Sequence, residues 1–475
     1  MSKKFASSVI ILVLVNLLVK FVWIFGVERG IQLQVGFENY GLYYSLFNFT
    51  AILSVIAEGG LSNFLVRSVA TDEQKQQHTF WLKIILSAIY ILAVFVLGQI
   101  LGYPKSYFKL LFILSIYQML FSFLTYLRAF LKGNQLFKAD TFFSVFDRML
   151  LVFLFIPLLY TRLPFNVDIY FFALSQVLAL SLSIITCGVI LYKNNCINAS
   201  TFKFEFNWDD FKKIMPYTLF AFLVLAYYKV DSVMLEKLLP NGKVESGVYA
   251  AAYRLLDASN LLPILFASLF LPILSKNLSN PSALKKLIDL SFETLISWAL
   301  ILAFSCWFYR FQLMQLFYGE ANSEYLSTIF GILMLCAPLI TIYYIFSTVL
   351  TAENQLKTLN SIAAVGLVLN VVLNLYMIPN YQALGAAIAT LITLMVTGFS
   401  YFLFALKKVE SAFSSKQTLK IICLTAMLCL TGLGLQYVSI NWMLCFIAFV
   451  SLGSIYTFSL RLISLKRFLE LLIQK

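Results

Sequence analysis

The chain has 475 residues, of which 61% are hydrophobic and only 12% charged, and its mean hydropathy is +0.87. Soluble domains are about 45–50% apolar and about 25% charged, so this composition excludes an ordinary soluble protein and indicates an integral membrane protein. The apolar runs are continuous and about twice as long as the alternating segments of about ten residues that build transmembrane barrels, so the spans are expected to be helices.

In chain order, the apolar runs between polar breaks predict fourteen membrane-spanning helices, so the predicted fold class is an all-α polytopic membrane protein. Their approximate limits are 7–27, 41–62, 79–102, 107–131, 141–162, 168–192, 214–239, 247–275, 286–309, 325–350, 358–379, 382–406, 417–439 and 441–463. The seven cysteines form no C-x-x-C pair and mostly lie inside apolar runs, so we expect neither a disulfide nor a metal site.

The basic residues are distributed unevenly along this pattern. If the N-terminus is cytoplasmic, 24 of the 35 lysines and arginines fall on the inner side and seven on the outer side. The remaining four, Lys20, Arg148, Lys229 and Arg254, lie in the interiors of spans, whereas residues close to a span end, such as Lys83, are counted with the nearer side. Because basic residues collect in cytoplasmic loops, the distribution predicts that both termini are cytoplasmic. It also accounts for the net charge of +13 without nucleic acid.

A repeat relates the two halves of the chain. The residues around Gly41, before span 2, match those around Gly247, before span 8. After spans 4 and 10, Leu131–Leu136 matches Leu350–Leu356 with one extra residue. The predicted domains are therefore an N-lobe at 1–200 with helices 1–6, a C-lobe at 201–410 with helices 7–12, and two extra C-terminal helices at 411–475.

Charged residues inside spans indicate an internal surface. Spans 7 and 8 carry Lys229, Asp231, Arg254 and Asp257. A charge near the bilayer centre costs at least about 2.5–3.5 kcal/mol, so such residues face a bundle interior or a water-filled cavity rather than lipid.

No sequence motif for catalysis is present. The chain contains no G-x-x-x-x-G-K-[ST] or G-x-G-x-x-G loop, so it is not expected to hydrolyse nucleotides. The predicted outer loops are short, which argues against a membrane-bound polysaccharide polymerase or ligase. That enzyme class stays the main alternative to a transporter, and no catalytic residue is expected.

Several stretches resemble the bacterial O-antigen and polysaccharide flippases of the multidrug/oligosaccharidyl-lipid/polysaccharide exporter superfamily. They are VGFENYGLY (Val35–Tyr43), EGGLSNFLVR (Glu58–Arg67), KVDSVML (Lys229–Leu235), GVYAAAYR (Gly247–Arg254) and IPNYQALGAAIAT (Ile378–Thr390). The resemblance covers nearly the whole chain. It implies two helical lobes around a central lumen.

The resemblance also implies a function. The expected substrate is a polyprenyl-diphosphate-linked oligosaccharide repeat unit, as in O-antigen, lipopolysaccharide or capsule synthesis. It would cross from the inner to the outer leaflet of the bacterial cytoplasmic membrane by alternating access. A peptidoglycan-precursor exporter or a multidrug exporter of the same superfamily is the alternative within transport.

Basic residues are the candidates for binding the diphosphate of such a substrate. We expect substrate contact at Lys20, Arg67, Arg148, Lys229 and Arg254. The acids Glu58, Asp147, Asp231 and Asp257 are candidates for counter-ions or for binding a coupling ion. Two alternatives stay open: Arg254 and Asp257 could simply pair at i,i+3 on one helix face, and Arg67 could act only in topology.

No cofactor or metal is expected. Coupling to a proton or sodium gradient is open, since the acids suit either ion. The expected partners are the lipid-linked oligosaccharide and membrane lipids, with no nucleic acid, and contact with polysaccharide polymerase or chain-length machinery is left open.

Overall fold

A computed structural model describes residues 15–16, 18–70, 79–161, 166–197, 208–409 and 415–462. These residues are almost entirely helical and contain no strand, which confirms the predicted all-α fold class. Within them, twelve helical elements are long and apolar enough to cross a membrane.

Two of the twelve elements are too long for a single crossing. Leu356–Lys407 has 52 residues, which at 1.5 Å per residue is about 78 Å, more than twice the hydrocarbon thickness of about 30 Å. A Cβ added to Gly385 would overlap the carbonyl oxygen of Met377, and the Tyr401 hydroxyl donates to the Leu359 carbonyl at 3.4 Å. The element is therefore a helical hairpin, which turns near Gln382 at φ 55°.

Leu18–Glu58, with 41 residues, doubles back in the same way. Gly36 breaks the helix at φ 80° and ψ 164°. On either side of this break, Trp23 and Tyr43 pack against the same ring of Phe172, with centroid distances of 6.0 and 5.3 Å. Counting both hairpins as two segments each, the described elements contain fourteen candidate membrane passes, the number predicted from the sequence.

The chain divides into two compact units, residues 1–247 and 248–475. After a π-helical turn at Trp23–Glu28, the helices of the first unit are α1 (Arg29–Glu58), α2 (Leu61–Ala70), α3 (Thr79–Ile100), α4 (Phe108–Gly133), α5 (Phe137–Phe143), α6 (Phe146–Tyr160), α7 (Ile169–Lys193) and α8 (Trp208–Leu238). A 3-10 turn, Lys105–Tyr107, precedes α4.

Helix α9 (Gly242–Ser259) begins in the first unit and continues into the second. The other helices of the second unit are α10 (Leu261–Lys276), α11 (Pro281–Phe308), α12 (Arg310–Tyr318), α13 (Glu324–Met334), α14 (Cys336–Ala352), α15 (Leu356–Val409), α16 (Ser415–Gln436) and α17 (Trp442–Ser459). The two units reflect packing, whereas the predicted lobes reflect the repeat, so the lobe boundaries stay a prediction.

The last two helices pack on α11 within the second unit. A Cβ added to Gly432 of α16 would overlap the ring of Phe308, and the rings of Phe308 and Phe449 lie 6.1 Å apart. A Cβ on Gly453 would lie 3.0 Å from Ile301. Small residues thus let α16 and α17 approach α11 closely, as is usual between membrane helices.

The two glycines that the repeat aligns meet at one helix crossing in the first unit. A Cβ on Gly41 would overlap the carbonyl oxygen of Lys243, and a Cβ on Gly247 would overlap that of Phe37. Each of these carbonyls lies four residues before the opposite glycine, so the contact is reciprocal. Gln32 reinforces it by donating to the Gly247 carbonyl at 2.8 Å. Helices α1 and α9 therefore touch backbone to backbone, which only glycine permits.

The second pair of repeat segments forms the same helix-ending turn. After α4, Gln135 has φ 59° and the Leu136 N–H donates to the Leu131 carbonyl at 2.8 Å. After α14, Asn354 has φ 54° and the Gln355 N–H donates to the Leu350 carbonyl at 2.9 Å. Both are left-handed caps of the Schellman type. In both turns the donating N–H lies five residues after the accepting carbonyl, so the turns have the same length. The extra residue in the sequence alignment therefore lies after the second turn.

Candidate functional site

In the first unit, one group of candidate residues surrounds Tyr117 of α4. Asp147 is buried in the first turn of α6, and Arg148 beside it is half-buried. The Tyr117 hydroxyl lies within electrostatic range of both, and of Glu28 in the π-helical turn. Helix N-termini favour anions, which stabilises the Asp147 carboxylate where it lies. The packing of α6 on the π-helical turn thus brings acidic and basic groups together inside the membrane.

Lys20 lies half-buried on the first membrane pass, just before the π-helical turn. Lys229 is half-buried on α8, and Asp231 on the same helix is buried. Helix α1 holds this part of α8, because Asn48 donates to the Ser232 hydroxyl at 2.7 Å and that hydroxyl donates to the Lys229 carbonyl at 3.1 Å. Polar contacts between α1 and α8 therefore position the helix that carries Lys229.

Arg254 and Asp257 lie on α9 in the second unit. The Arg254 side chain is buried, and its Nη1 donates to the hydroxyl of Tyr318 at 3.2 Å. Tyr318 ends the short helix α12 and is itself buried. Asp257 is half-buried and acts electrostatically on Tyr344 of α14. Sequence reasoning did not find Tyr318, since nothing in the sequence around it marks a partner for an arginine 64 residues away.

Arg67 lies on α2, and its side chain is outside the described part of the structure. Candidate residues are thus present in both units: Lys20, Glu58, Arg67, Asp147, Arg148, Lys229 and Asp231 in the first, and Arg254 and Asp257 in the second. Their joint action on one substrate stays a prediction.

Glu58 has a partner that sequence reasoning missed. We counted Lys83 among the inner-side cations that set topology, but its side chain is fully buried in α3, packed against α1 and α4. Its Nζ donates to the Ala57 carbonyl at 2.7 Å and to the Ser122 hydroxyl, and lies 3.8 Å from Oε2 of Glu58. The Ser122 hydroxyl in turn donates to Glu58 at 3.1 Å. The signal available in the sequence was that Lys83 lies inside an apolar run.

Buried amides in the second unit were also missed. Asn370 and Asn374 of α15 are fully buried, and Asn374 donates to the Asn370 side-chain oxygen at 3.0 Å. The hydroxyls of Tyr249 and Thr390 lie 3.2 Å apart. Two asparagines at i,i+4 within an apolar run indicate a polar helix face, so the sequence could have predicted this pair. Among the described residues, no group of three or more His, Cys, Asp or Glu side chains is arranged to hold a metal.

A second cluster ties the turn between α8 and α9 to the rest of the first unit. Lys243 lies 3.3 Å from the Glu38 carboxylate and 5.6 Å from the Tyr107 ring centroid. Lys237 lies 3.9 Å from the ring centroid of Tyr103. The ion pair links the start of α9 to α1, and the cation–π contacts link the turn to the segment that precedes α4.

Several solved structures of membrane transporters and flippases resemble the chain. The lipid II flippase MurJ, in an inward closed conformation, matches with a TM-score of 0.70 and 18% identity, over 97% of this chain and 98% of that one. A transporter of the MOP superfamily from Pyrococcus furiosus matches with a TM-score of 0.61 and 16% identity, over 84% of this chain and 95% of that one. The Vibrio cholerae MATE transporter VcmN in the bent form matches with a TM-score of 0.56 and 14% identity, over 85% of this chain and 98% of that one. The chain therefore shares the fold of these transporters.

Sequence comparison gives a family. No curated protein matches the chain. A family model described as polysaccharide biosynthesis protein matches residues 4–278, more than half of the chain. That range includes the candidate residues from Lys20 to Asp257. The chain therefore belongs to the polysaccharide biosynthesis protein family.

Proposed function

We propose that the protein is a flippase for polyprenyl-diphosphate-linked oligosaccharide repeat units, as used in O-antigen or capsule synthesis. It moves them from the inner to the outer leaflet of the bacterial cytoplasmic membrane by alternating access, with both of its termini in the cytoplasm. The observation that carries the proposal is that basic side chains lie inside the membrane spans of both units, in a member of a polysaccharide biosynthesis family.

The chemistry of the substrate fits these side chains. A sugar diphosphate carries about two negative charges, and charge-assisted hydrogen bonds to phosphate are about twice as strong as neutral ones. Arg254 supplies a planar guanidinium that can grip phosphate oxygens in pairs, and Lys20, Arg148 and Lys229 supply further positive charge. Basic residues inside a membrane are costly, which supports a functional role for them.

The polyprenyl tail stays in lipid while the headgroup crosses. The described faces of α16 and α17 include exposed apolar side chains such as Leu430 and Ile447, which suit contact with lipid chains. The oligosaccharide has no such compatibility with lipid, because its hydroxyls need hydrogen-bond partners throughout the crossing.

The test is a flipping assay in proteoliposomes with three fluorescent substrates: a polyprenyl-diphosphate oligosaccharide, a peptidoglycan precursor and a cationic drug. We expect transport of the first, measured as its protection from an impermeant quencher. Transport of the drug alone would overturn the proposal. Transport of the peptidoglycan precursor alone would keep the flippase activity and replace the substrate.

A further inference from the structure

Lys83 is a buried amine that the proposed substrate site does not use. Its side chain has no exposed surface, and its Nζ lies 5.5 Å from the ring centroid of Phe123, so apolar groups cover part of it. Three oxygens complete its surroundings, from the Ala57 carbonyl, the Ser122 hydroxyl and the Glu58 carboxylate. Placing an ammonium group inside a membrane span costs free energy, so its presence there suggests a functional role.

A hydrogen-bonded chain connects this amine to a more accessible acid. The Glu58 side chain is 30% exposed, whereas that of Lys83 is 0% exposed. The Ser122 hydroxyl accepts from the Lys83 ammonium and donates to Glu58 Oε2. The ammonium can thus pass a proton to the serine oxygen while the serine passes its own to the carboxylate. This leaves a neutral amine and a protonated Glu58, from whose partly exposed carboxyl the proton can leave the site.

The same amine holds the end of a helix. Ala57 and Glu58 are the last residues of α1, and Gly59 and Gly60 follow with φ of 52° and 69°. Carbonyls in the last turn of a helix lack an intrahelical donor and attract positive charge. The Lys83 ammonium meets both needs at Ala57. If Lys83 loses its charge, its hydrogen bond to the Ala57 carbonyl weakens, and the joint between α1 and α2 is held less firmly.

We propose that Lys83, Ser122 and Glu58 form a proton-binding site that clamps this joint. With the proton bound, the Lys83 ammonium holds the end of α1 and fixes the start of α2. Without it, the joint loosens. Because α2 carries Arg67, the link to transport rests on the proposed function, while the proton site itself does not.

Among the side chains that the structure describes, few other titratable groups face this site. From α1, Glu58 is the charged group that acts on Lys83. From α4, one turn along the same faces, the titratable group is Tyr126, whose hydroxyl pairs with Thr79 at 2.9 Å. From α2, the described side chains beside the joint, Leu61 and Leu65, are buried and apolar. The pH response of the joint is therefore expected to follow Lys83 and Glu58.

Ser62 is a buried position in the first turn of α2, so the reactivity of a cysteine placed there reports how often the joint opens. In a full-length background without native cysteines, reconstituted in liposomes, its maleimide reaction rate is measured from about pH 5.5 to 9. Each rate is divided by that of S282C, an exposed site at the start of α11. We expect the ratio to rise about tenfold with pH, as for a change of about 1.4 kcal/mol in the opening equilibrium.

Two substitutions test whether Lys83 causes the response. Lys83→Met removes the charge and should give a high ratio at every pH. Lys83→Arg keeps a positive charge across this range and should give a low ratio at every pH. A ratio that does not change with pH when Lys83 is present, or a pH response that survives Lys83→Met, would overturn the proposal.

A further measurement needs no substitution. Reductive methylation modifies neutral amines, so mass spectrometry of the peptide with Lys83 gives its neutral fraction against pH. Its rise should follow that of the Ser62 reporter. A mismatch would contradict the proton site. Neither readout depends on flipping, so loss of the flippase proposal leaves both interpretable.

Discussion

At the scale of single residues, several buried and half-buried cations in the described part of the chain are held by specific polar groups. Lys83 contacts a carbonyl, a hydroxyl and a carboxylate. Arg128 of α4 donates to the Asp140 carboxylate of α5 at 2.8 Å. Arg254 donates to the Tyr318 hydroxyl. Removing one partner of a buried charge costs more than the contact itself supplies, because the other partner is left unsatisfied.

Arg254 tests whether α9 carries a substrate contact or only an ion pair. If Arg254 and Asp257 mainly neutralise each other, Arg254→Ala should cost about 3–5 kcal/mol, and the double change with Asp257→Ala should restore folding and export. We expect instead that the double variant inserts normally and fails to export. Arg254→Lys should reach normal membrane levels with reduced export, since a point charge cannot grip phosphate in two places.

The measurements are membrane level by immunoblot and surface polysaccharide by gel, each for the same cells. Arg310→Lys serves as the control, because Arg310 lies over the Trp307 ring, 4.8 Å from its centroid, outside the candidate site. If the double variant exports as much polysaccharide as the unaltered protein, Arg254 and Asp257 serve only to neutralise each other and Arg254 does not bind substrate.

Tyr318 and Tyr309 form a matched pair of buried tyrosines. Their side chains are 5% exposed each, but Tyr318 accepts from Arg254 whereas the Tyr309 hydroxyl has no hydrogen-bond partner. Tyr318→Phe should lower the free energy of unfolding by about 1.5–3 kcal/mol, the usual range for a hydrogen bond to a charged group. Tyr309→Phe should change it little. Thermal unfolding in detergent compares the two, and equal losses would show that the Arg254 contact contributes nothing.

At the scale of helices, close approach depends on glycines at defined positions. The crossing of α1 and α9 at Gly41 and Gly247 leaves no room for a side chain on either helix. The ion pair of Lys243 with Glu38 and the ring contacts of Lys237 and Lys243 lie beside it. The turn between α8 and α9 is therefore fixed to α1 by backbone packing and by side chains together.

Gly41→Ala and Gly247→Ala should each destabilise the protein by about 1–3 kcal/mol or more, as overpacking does elsewhere. Gly188→Ala is the control, because nothing lies within 4 Å of a Cβ added at this position inside α7. There the alanine should be neutral or stabilising, since glycine costs a helix about 0.5–1 kcal/mol. Thermal unfolding distinguishes the sites. Equal behaviour of the three variants would rule out the tight crossing.

At the scale of the whole molecule, an even number of membrane passes predicts that both termini lie on one side of the membrane, and the charge distribution predicts that this side is the cytoplasm. Asn241 lies in the turn between α8 and α9, and Ser282 at the start of α11, and both are exposed. These positions are separated by one membrane pass.

In intact cells, a cysteine at Asn241 should react with an impermeant thiol reagent, and one at Ser282 should react only after the membrane is permeabilised. The native cysteines are removed first. Gel-shift labelling measures both positions under the same conditions. Reaction at Ser282 alone in intact cells would invert the topology, and reaction at both would break the assignment of passes.

The sequence alone determined the membrane class, the helical fold and the fourteen passes, because the length and polarity of an apolar run are local properties. It also identified Arg254, Asp257, Lys229 and Asp231 as charges inside spans. The reciprocal contact of Gly41 with Gly247 joins two positions that the sequence could align but not bring together.

Only the tertiary structure decided the partners. Lys83 lies inside an apolar run but only a few residues from its start, where a lysine can also extend its amine to the membrane surface, so the sequence alone does not show that it turns inward. The packing of α3 on α1 and α4 places it against Glu58 and Ser122. Tyr318 likewise reaches Arg254 through the fold. Such pairings depend on which helix faces meet, and that is set by packing between segments far apart in the chain.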